Sequence, residues 1–184
     1  MVMPTLLRTF AVLLALMWTA TAHPQPRDTP LAPDAATVVD RWLGGSCLGD
    51  EAPARAEELR RYGATVAPAL RRALQAGPPA AAIAVVREAA ARRYAERAKF
   101  DWSTMEITGV SRDALARVTR ESPRAFVADQ VQRFINGWKS NAIAGLAIVG
   151  AEPDRVLLRR IGARSADPLA PAARAALQGA ATPR

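Results

Sequence analysis

Few residues in this chain have the type and spacing for covalent or metal chemistry. It holds one His and one Cys among 184 residues, and a His/Cys metal site needs three or four ligands, so no metal or other cofactor is expected. A Ser-His-Asp triad would have to recruit His23, which lies in a proline-rich stretch where no fixed base is expected. Cys47, in Trp42-Leu-Gly-Gly-Ser-Cys47-Leu-Gly, has no such base beside it in the sequence. A lone thiol in an oxidising compartment is buried, paired between chains or reactive, and a small, partly buried side chain is the reading adopted here. The glycines stand singly or as Gly44-Gly45, with no Gly-Lys-Ser/Thr, so a phosphate-binding loop is absent. What remains is one carboxylate in a distinctive place, Glu121 before Ser122-Pro123, and a large set of arginines.

Those groups sit in an alanine-rich, basic chain. It counts 41 Ala, 25 basic and 17 acidic side chains, and all the basic ones except Lys99 and Lys139 are Arg. Alanine favours helices and disfavours strands. Residues 1–22 read as a signal peptide: Arg8, then Phe10-Ala-Val-Leu-Leu-Ala-Leu-Met-Trp18, then the small residues Thr19-Ala-Thr-Ala22. The apolar run is about half the roughly 20 residues that span a bilayer. Cleavage after Ala22 would leave a mature chain of 162 residues, with 24 basic and 17 acidic side chains and a net charge of +7, in the periplasm or outside the cell. No transmembrane segment is expected in that mature chain. Residues 23–33, with four prolines, read as an extended leader.

From 34 to 178 the periodicity predicts a single all-α domain of about seven to nine helices, arranged as irregular antiparallel hairpins, followed by a disordered tail at 179–184. Asp34 is expected to cap a helix carrying Val38, Val39, Trp42 and Leu43, which ends at Gly44-Gly45. A second opens near Pro53 and places Leu59 and Tyr62 inward. A third runs from about Thr65 to Gln75 with Val66, Leu70, Ala73 and Leu74 inward. A fourth, after Pro79, carries Ile83, Val86, Ala90 and Tyr94, with Arg87, Arg92, Arg93 and Arg97 on other faces. Residues 101–110 contain no Ala and read as an insert joining the halves 34–100 and 111–178. Ser111 caps the next helix, with Leu115 and Val118 inward. Ser122-Pro123 starts another, bearing Val127, Val131, Phe134 and Trp138. Ile143, Leu146, Ala147 and Val149 belong to a separate helix ending at Gly150. Pro153 opens one with Val156, Leu157 and Ile161 inward, and Asp167-Pro168 opens the last, with Leu169, Ala173, Ala176 and Leu177. No strand is predicted.

Ala67-Pro-Ala-Leu-Arg-Arg-Ala-Leu-Gln75 matches Ala170-Pro-Ala-Ala-Arg-Ala-Ala-Leu-Gln178 at seven of nine positions. With the Ala/Arg helix that follows Gly77-Pro-Pro, and with Glu152-Pro-Asp-Arg-Val-Leu-Leu-Arg-Arg-Ile-Gly, this pattern resembles bacterial HEAT-like helical repeats over roughly residues 53–99 and 139–178. The resemblance implies an α-solenoid-like array that binds other proteins and has no chemistry of its own. A second resemblance surrounds Glu121. Leu115-Ala-Arg-Val-Thr-Arg-Glu121-Ser122-Pro-Arg-Ala-Phe is similar to the catalytic-glutamate segment of lytic transglycosylases, which implies a general acid acting on peptidoglycan. That family's Gly-Leu-Met-Gln-like turn has no counterpart close behind, because the nearest Gly-Leu, Gly145-Leu146, lies in an apolar helix without the Gln.

The expectation is therefore a non-catalytic exported protein that binds an unidentified protein of the cell envelope. Glu121 as the catalytic residue of a glycan-cleaving enzyme is one alternative. The other is a basic face, built from Arg92, Arg93 and Arg97 with Arg87, Lys99 and Trp102, that binds anionic envelope components. Trp102, Met105 and Ile107 make the insert more apolar than a loop requires, so Trp102 and Met105 join Arg92, Arg93 and Arg97 as candidate binding residues. Nucleic acid is not an expected partner, since no binding motif accompanies the charge.

Overall fold

A computed structural model describes residues 30–45, 51–99, 111 and 120–181. The chain divides into two units, 1–30 and 31–184, and apart from Pro30 the first lies outside the described residues. So do the expected signal peptide, Cys47, the insert 101–110 and the helix bearing Leu115 and Val118.

Every regular element among the described residues is helical: α1 (Pro33–Gly44), α2 (Ala52–Tyr62), a 3-10 turn (Gly63–Val66), α3 (Ala67–Ala76), α4 (Ala80–Arg97), α5 (Pro123–Val149), α6 (Glu152–Gly162) and α7 (Ala170–Ala181). None of them is long and apolar enough to cross a membrane. Prolines set the starts. Pro33, Pro53, Pro68, Pro123 and Pro153 stand in the first turn, where a missing N–H costs nothing. Gly63 and Gly77 end α2 and α3 at positive φ, a conformation that side-chain-bearing residues resist.

Several boundaries differ from the sequence reading. Ser122 caps α5 as expected, its Oγ accepting from Ala125 N at 3.2 Å. The helix then runs unbroken for 27 residues and absorbs the separate helix predicted around Ile143. No proline interrupts it, and Gly137, an open position, is tolerated at about 1 kcal/mol. Asp34 lies inside the first turn of α1 instead of capping it, and its carboxylate accepts from the Tyr62 hydroxyl at 3.0 Å. In α6 Leu158 is buried while Val156 is 43% exposed, because the inward stripe passes through Asp154, Leu158 and Ile161. Finally, α7 continues to Ala181, past the 178 at which the sequence reading stopped it.

Helix α5 is the axis of the described helices and touches each of the others. One core joins Val38, Val39, Trp42 and Leu43 of α1, Leu59 of α2, Leu70 and Leu74 of α3, Ile143 and Leu146 of α5, and Leu158 and Ile161 of α6. The two halves are therefore not separate cores. Burying each of the large aliphatic side chains contributes about 1.5–3 kcal/mol.

At the crossing of α1 and α3 over α5 the helices approach closely. A Cβ on buried Gly145 would lie 2.8 Å from Trp42 Nε1 and 3.0 Å from Leu70 Cδ1. Trp42 Nε1 donates to Asn141 O at 2.7 Å, and Asn141 Nδ2 donates to Leu43 O at 2.9 Å and Gly45 O at 2.7 Å. The carbonyls that α1 leaves unpaired at its C-terminus are thus capped by a side chain from another helix. By contrast, the Trp138 Nε1 is buried with no acceptor among the described residues.

The repeated nonapeptide has a structural counterpart. Its two copies begin α3 and α7 at matching residues, Ala67 and Ala170, and bury matching positions, Leu70 and Ala173. The matching arginines hold opposite ends of α6. Arg71 Nε donates to Asp154 Oδ1 at 2.6 Å, and Arg174 Nη1 donates to Gly162 O at 2.7 Å. Asp154 is 1% exposed, and its Oδ2 also accepts from Ala151 N at 3.1 Å, so one carboxylate caps α6 and ties it to α3.

Two predictions follow from this packing. Gly145→Ala forces Trp42 or Leu70 away from α5 and is expected to lower stability by about 2 kcal/mol, read as a shift in the urea midpoint. The second concerns pH. The Asp34 carboxyl is held below the usual carboxylate range, first by the Ala35 backbone and then by Tyr62, while the Asp34 carboxylate pushes the Tyr62 phenol up. The depressed acid contributes stability that is lost as pH falls through its folded value. The raised phenol contributes stability that is lost as pH rises through its own, so the bond serves between the two limits. In a Tyr94→Phe background, where Tyr62 is the sole phenol, Asp34→Asn should move the spectroscopic titration of Tyr62 downward.

Candidate functional site

Glu121 stands immediately before the N-cap of α5, and the last turns of α4 come up against it. The Tyr94 hydroxyl donates to Glu121 O at 2.7 Å. Both terminal nitrogens of Arg97 lie 3.4 Å from Glu121 Oε2, a long ion pair whose side chains are 19% and 30% exposed. The same guanidinium is 5.1 Å from the ring centre of Phe126 and 5.6 Å from that of Tyr94, and the two rings are 5.6 Å apart. This is a cation stacked on two aromatic faces and closed by a carboxylate.

Arg97 therefore does not stand on an outer face as the sequence reading had it. It is drawn inward because Tyr94, one turn earlier on α4, and Phe126, in the first turn of α5, offer it aromatic surface that water cannot. Glu121 in turn works as a tie between α4 and the start of α5. The general acid of a glycosidase is a carboxyl held ready to give up a proton, often in an apolar pocket, whereas this carboxylate faces a guanidinium.

The other candidate arginines are not gathered with it. Arg92 is engaged by Glu88 one turn earlier, and both are exposed. Arg93 is exposed and adjacent, while Lys99 pairs with Glu96 at 2.7 Å. Trp102 and Met105 lie outside the described residues. Among the described residues no three His, Cys, Asp or Glu side chains cluster as metal ligands would.

The acidic side chains are largely committed elsewhere too. Glu58 pairs with Arg41 at 2.9 Å, Glu57 with Arg60 at 2.9 Å, Asp129 with Arg133 at 2.7 Å and Glu152 with Arg159 at 2.8 Å, and Glu51 is bonded to Arg55. Each exposed pair contributes little to stability, about 0–1 kcal/mol. Among the described residues most carboxylates are thus paired with a basic side chain.

The sequence reading missed two features. Arg71 with Asp154 is a contact between residues 83 apart, and no local pattern announces it. The basic outer face of α6 was legible, because Arg155-Val-Leu-Leu-Arg159-Arg160 places its arginines opposite Leu158 and Ile161. Assigning Val156 to the core concealed it.

If Glu121 is a tie, Arg97→Ala and Glu121→Gln should each lower stability and be coupled by about 0.5–1 kcal/mol in a double-mutant cycle. Wild type and Glu121→Gln should then behave alike in a peptidoglycan turbidity assay. Clearing by wild type that Glu121→Gln abolishes would restore the enzyme alternative.

No protein family, no characterised protein and no solved structure matches the chain, so the residues themselves carry the functional argument.

Proposed function

We propose that this is an exported, non-catalytic protein of HEAT-like character that binds a protein partner in the cell envelope through the arm formed by α4 and the first half of α5. The observation that carries the reading is how little of this arm the core uses. In 18 residues α4 buries only Ala90, and none of its side chains joins the core cluster. Along α5, Phe126 is the only buried residue before Ala142, after which Ile143, Gly145, Leu146 and Ala147 follow in close order. Apolar side chains are nevertheless present in quantity: Ile83, Val86, Val127, Val131, Phe134 and Ile135 are half-buried, and Val85 is 65% exposed. Apolar surface that a domain retains without enclosing it is characteristic of interaction sites.

The predicted signal sequence supplies the cellular address, and the matched nonapeptides at the starts of α3 and α7 support the repeat-like character. In the glycan-cleaving alternative Glu121 would have to leave Arg97, which makes that reading the weaker one.

Val85→Asp tests the arm directly. At so exposed a position it should change stability by less than about 0.5 kcal/mol. Wild-type protein used as bait in a periplasmic extract should retain a discrete protein that Val85→Asp does not. Equal capture by the two proteins, or none by either, would refute the arm as the interface.

A further inference from the structure

The arm is tied together at its far end and joined to the core at its base by two chain segments. At the far end Arg97, stacked on Tyr94 and Phe126 and closed by Glu121, fastens the last turn of α4 to the start of α5. At the base α4 leads back to α3 through Gly77-Pro78-Pro79, and α5 enters the core past Gly137. Both crossings fall at one level: a Cβ on Gly77 would lie 3.5 Å from Lys139 Cε and 3.9 Å from Ile135 Cγ2, two residues to either side of Gly137. At about 100° per residue Gly137 faces away from those side chains, so the two glycines flank α5 from opposite sides. Gly77 ends α3 at a φ of 77°. Gly137 has neither a positive φ nor a close neighbour: its backbone is helical, and a Cβ there would meet nothing within 4 Å. Apart from proline, glycine is the least favourable residue for a helix interior, and what it supplies there is backbone freedom. Commitment to the core changes at the same point. Before Gly137 the sole buried residue of α5 is Phe126, whereas beyond it Asn141 donates to Leu43 O and Gly45 O, and Gly145 lies beneath Trp42 and Leu70. Trp138, between them, buries an indole N–H with no acceptor among the described residues.

We propose that α4 and α5 up to Gly137 swing as one rigid arm on a hinge formed by Gly77 and Gly137, which presents the apolar side chains of the arm at a variable angle to the core. A few backbone positions between two well-braced bodies are what hinge motion requires. The clamp at Arg97 keeps α4 and α5 together during the swing, and the bonds of Asn141 keep the core section of α5 in place. From Gly137 to Pro123 α5 rises about 21 Å at 1.5 Å per residue. A bend of about 20° at the hinge therefore carries the far end of the arm through about 7 Å. The use of this motion in fitting a partner rests on the protein-binding reading of the arm. The motion itself does not, and it is measured without a partner, so the two can fail separately.

The test is a distance distribution across the hinge, measured by double electron–electron resonance on the full chain in a Cys47→Ser background. One spin label is placed at Arg93→Cys on α4 and the other at Arg155→Cys on α6, both exposed positions. Helix α6 is held at both ends by Arg71 and Arg174, so the second label reports a fixed support. With Gly137 present the distribution should be about 7 Å broader than with Gly137→Ala, which should also raise the unfolding temperature. A pair within the arm, Ala81→Cys with Arg124→Cys, should be narrow in both. Equal widths with and without Gly137→Ala, or a pair within the arm as broad as the pair across the hinge, would overturn the proposal. If the Cys47→Ser background is destabilised, hydrogen exchange on the unlabelled chain takes its place. Amides 138–141, which bond back across Gly137, should then be protected at least about five-fold less than both 130–134 and 143–147, and Gly137→Ala should close the gap. No gap in the wild type, or one that survives Gly137→Ala, would overturn the hinge equally.

Discussion

Everything else in the domain is arranged around the close approach at Gly145. Two helices from the first part of the chain, α1 and α3, lie so near α5 that Trp42 and Leu70 occupy the space a side chain would need. That approach lets the Trp42 indole reach the Asn141 carbonyl, and lets the Asn141 amide reach back to the end of α1. The polar exchange satisfies groups that burial would otherwise penalise by about 1–3 kcal/mol each. A helix that must receive neighbours so closely has to be continuous, since its neighbours are positioned only by a straight backbone beneath them.

The same demand divides the molecule. The last third of α5 is consumed by the core, while its first half and α4 extend beyond it. At the far end the arm is secured by a different device, the stack of Arg97 on Tyr94 and Phe126 closed by Glu121. A residue pattern that resembles an active-site glutamate is thus placed where it holds two helices together. Among the described residues the apolar side chains of the arm stay outside the core cluster, most of them half-buried.

Helix α6 shows how a weak sequence repeat becomes a mechanical feature. The two copies of Ala-Pro-Ala start α3 and α7, and their matching arginines grip α6 from opposite ends. With the inner face locked by Asp154, Leu158 and Ile161, the outer arginines have nowhere to turn but outward.

The sequence by itself determined that the chain is helical and where most helices begin. Alanine content, proline in the first turn and glycine after the last are local signals that act within a few residues. It also identified the inward stripes of α1, α2 and α3, because periodicity reports burial wherever one face is clearly apolar. It misplaced Arg97 on α4, the break expected within α5 and Val156 on α6, because these segments mix alanine, valine and arginine and the period there does not fix which residues meet a neighbour. Whether Arg97 turned in depended on Glu121 and Phe126, 24 and 29 residues further along the chain. Only the tertiary structure could decide that, since the energies that select between such faces come from contacts with other helices and not from the segment itself.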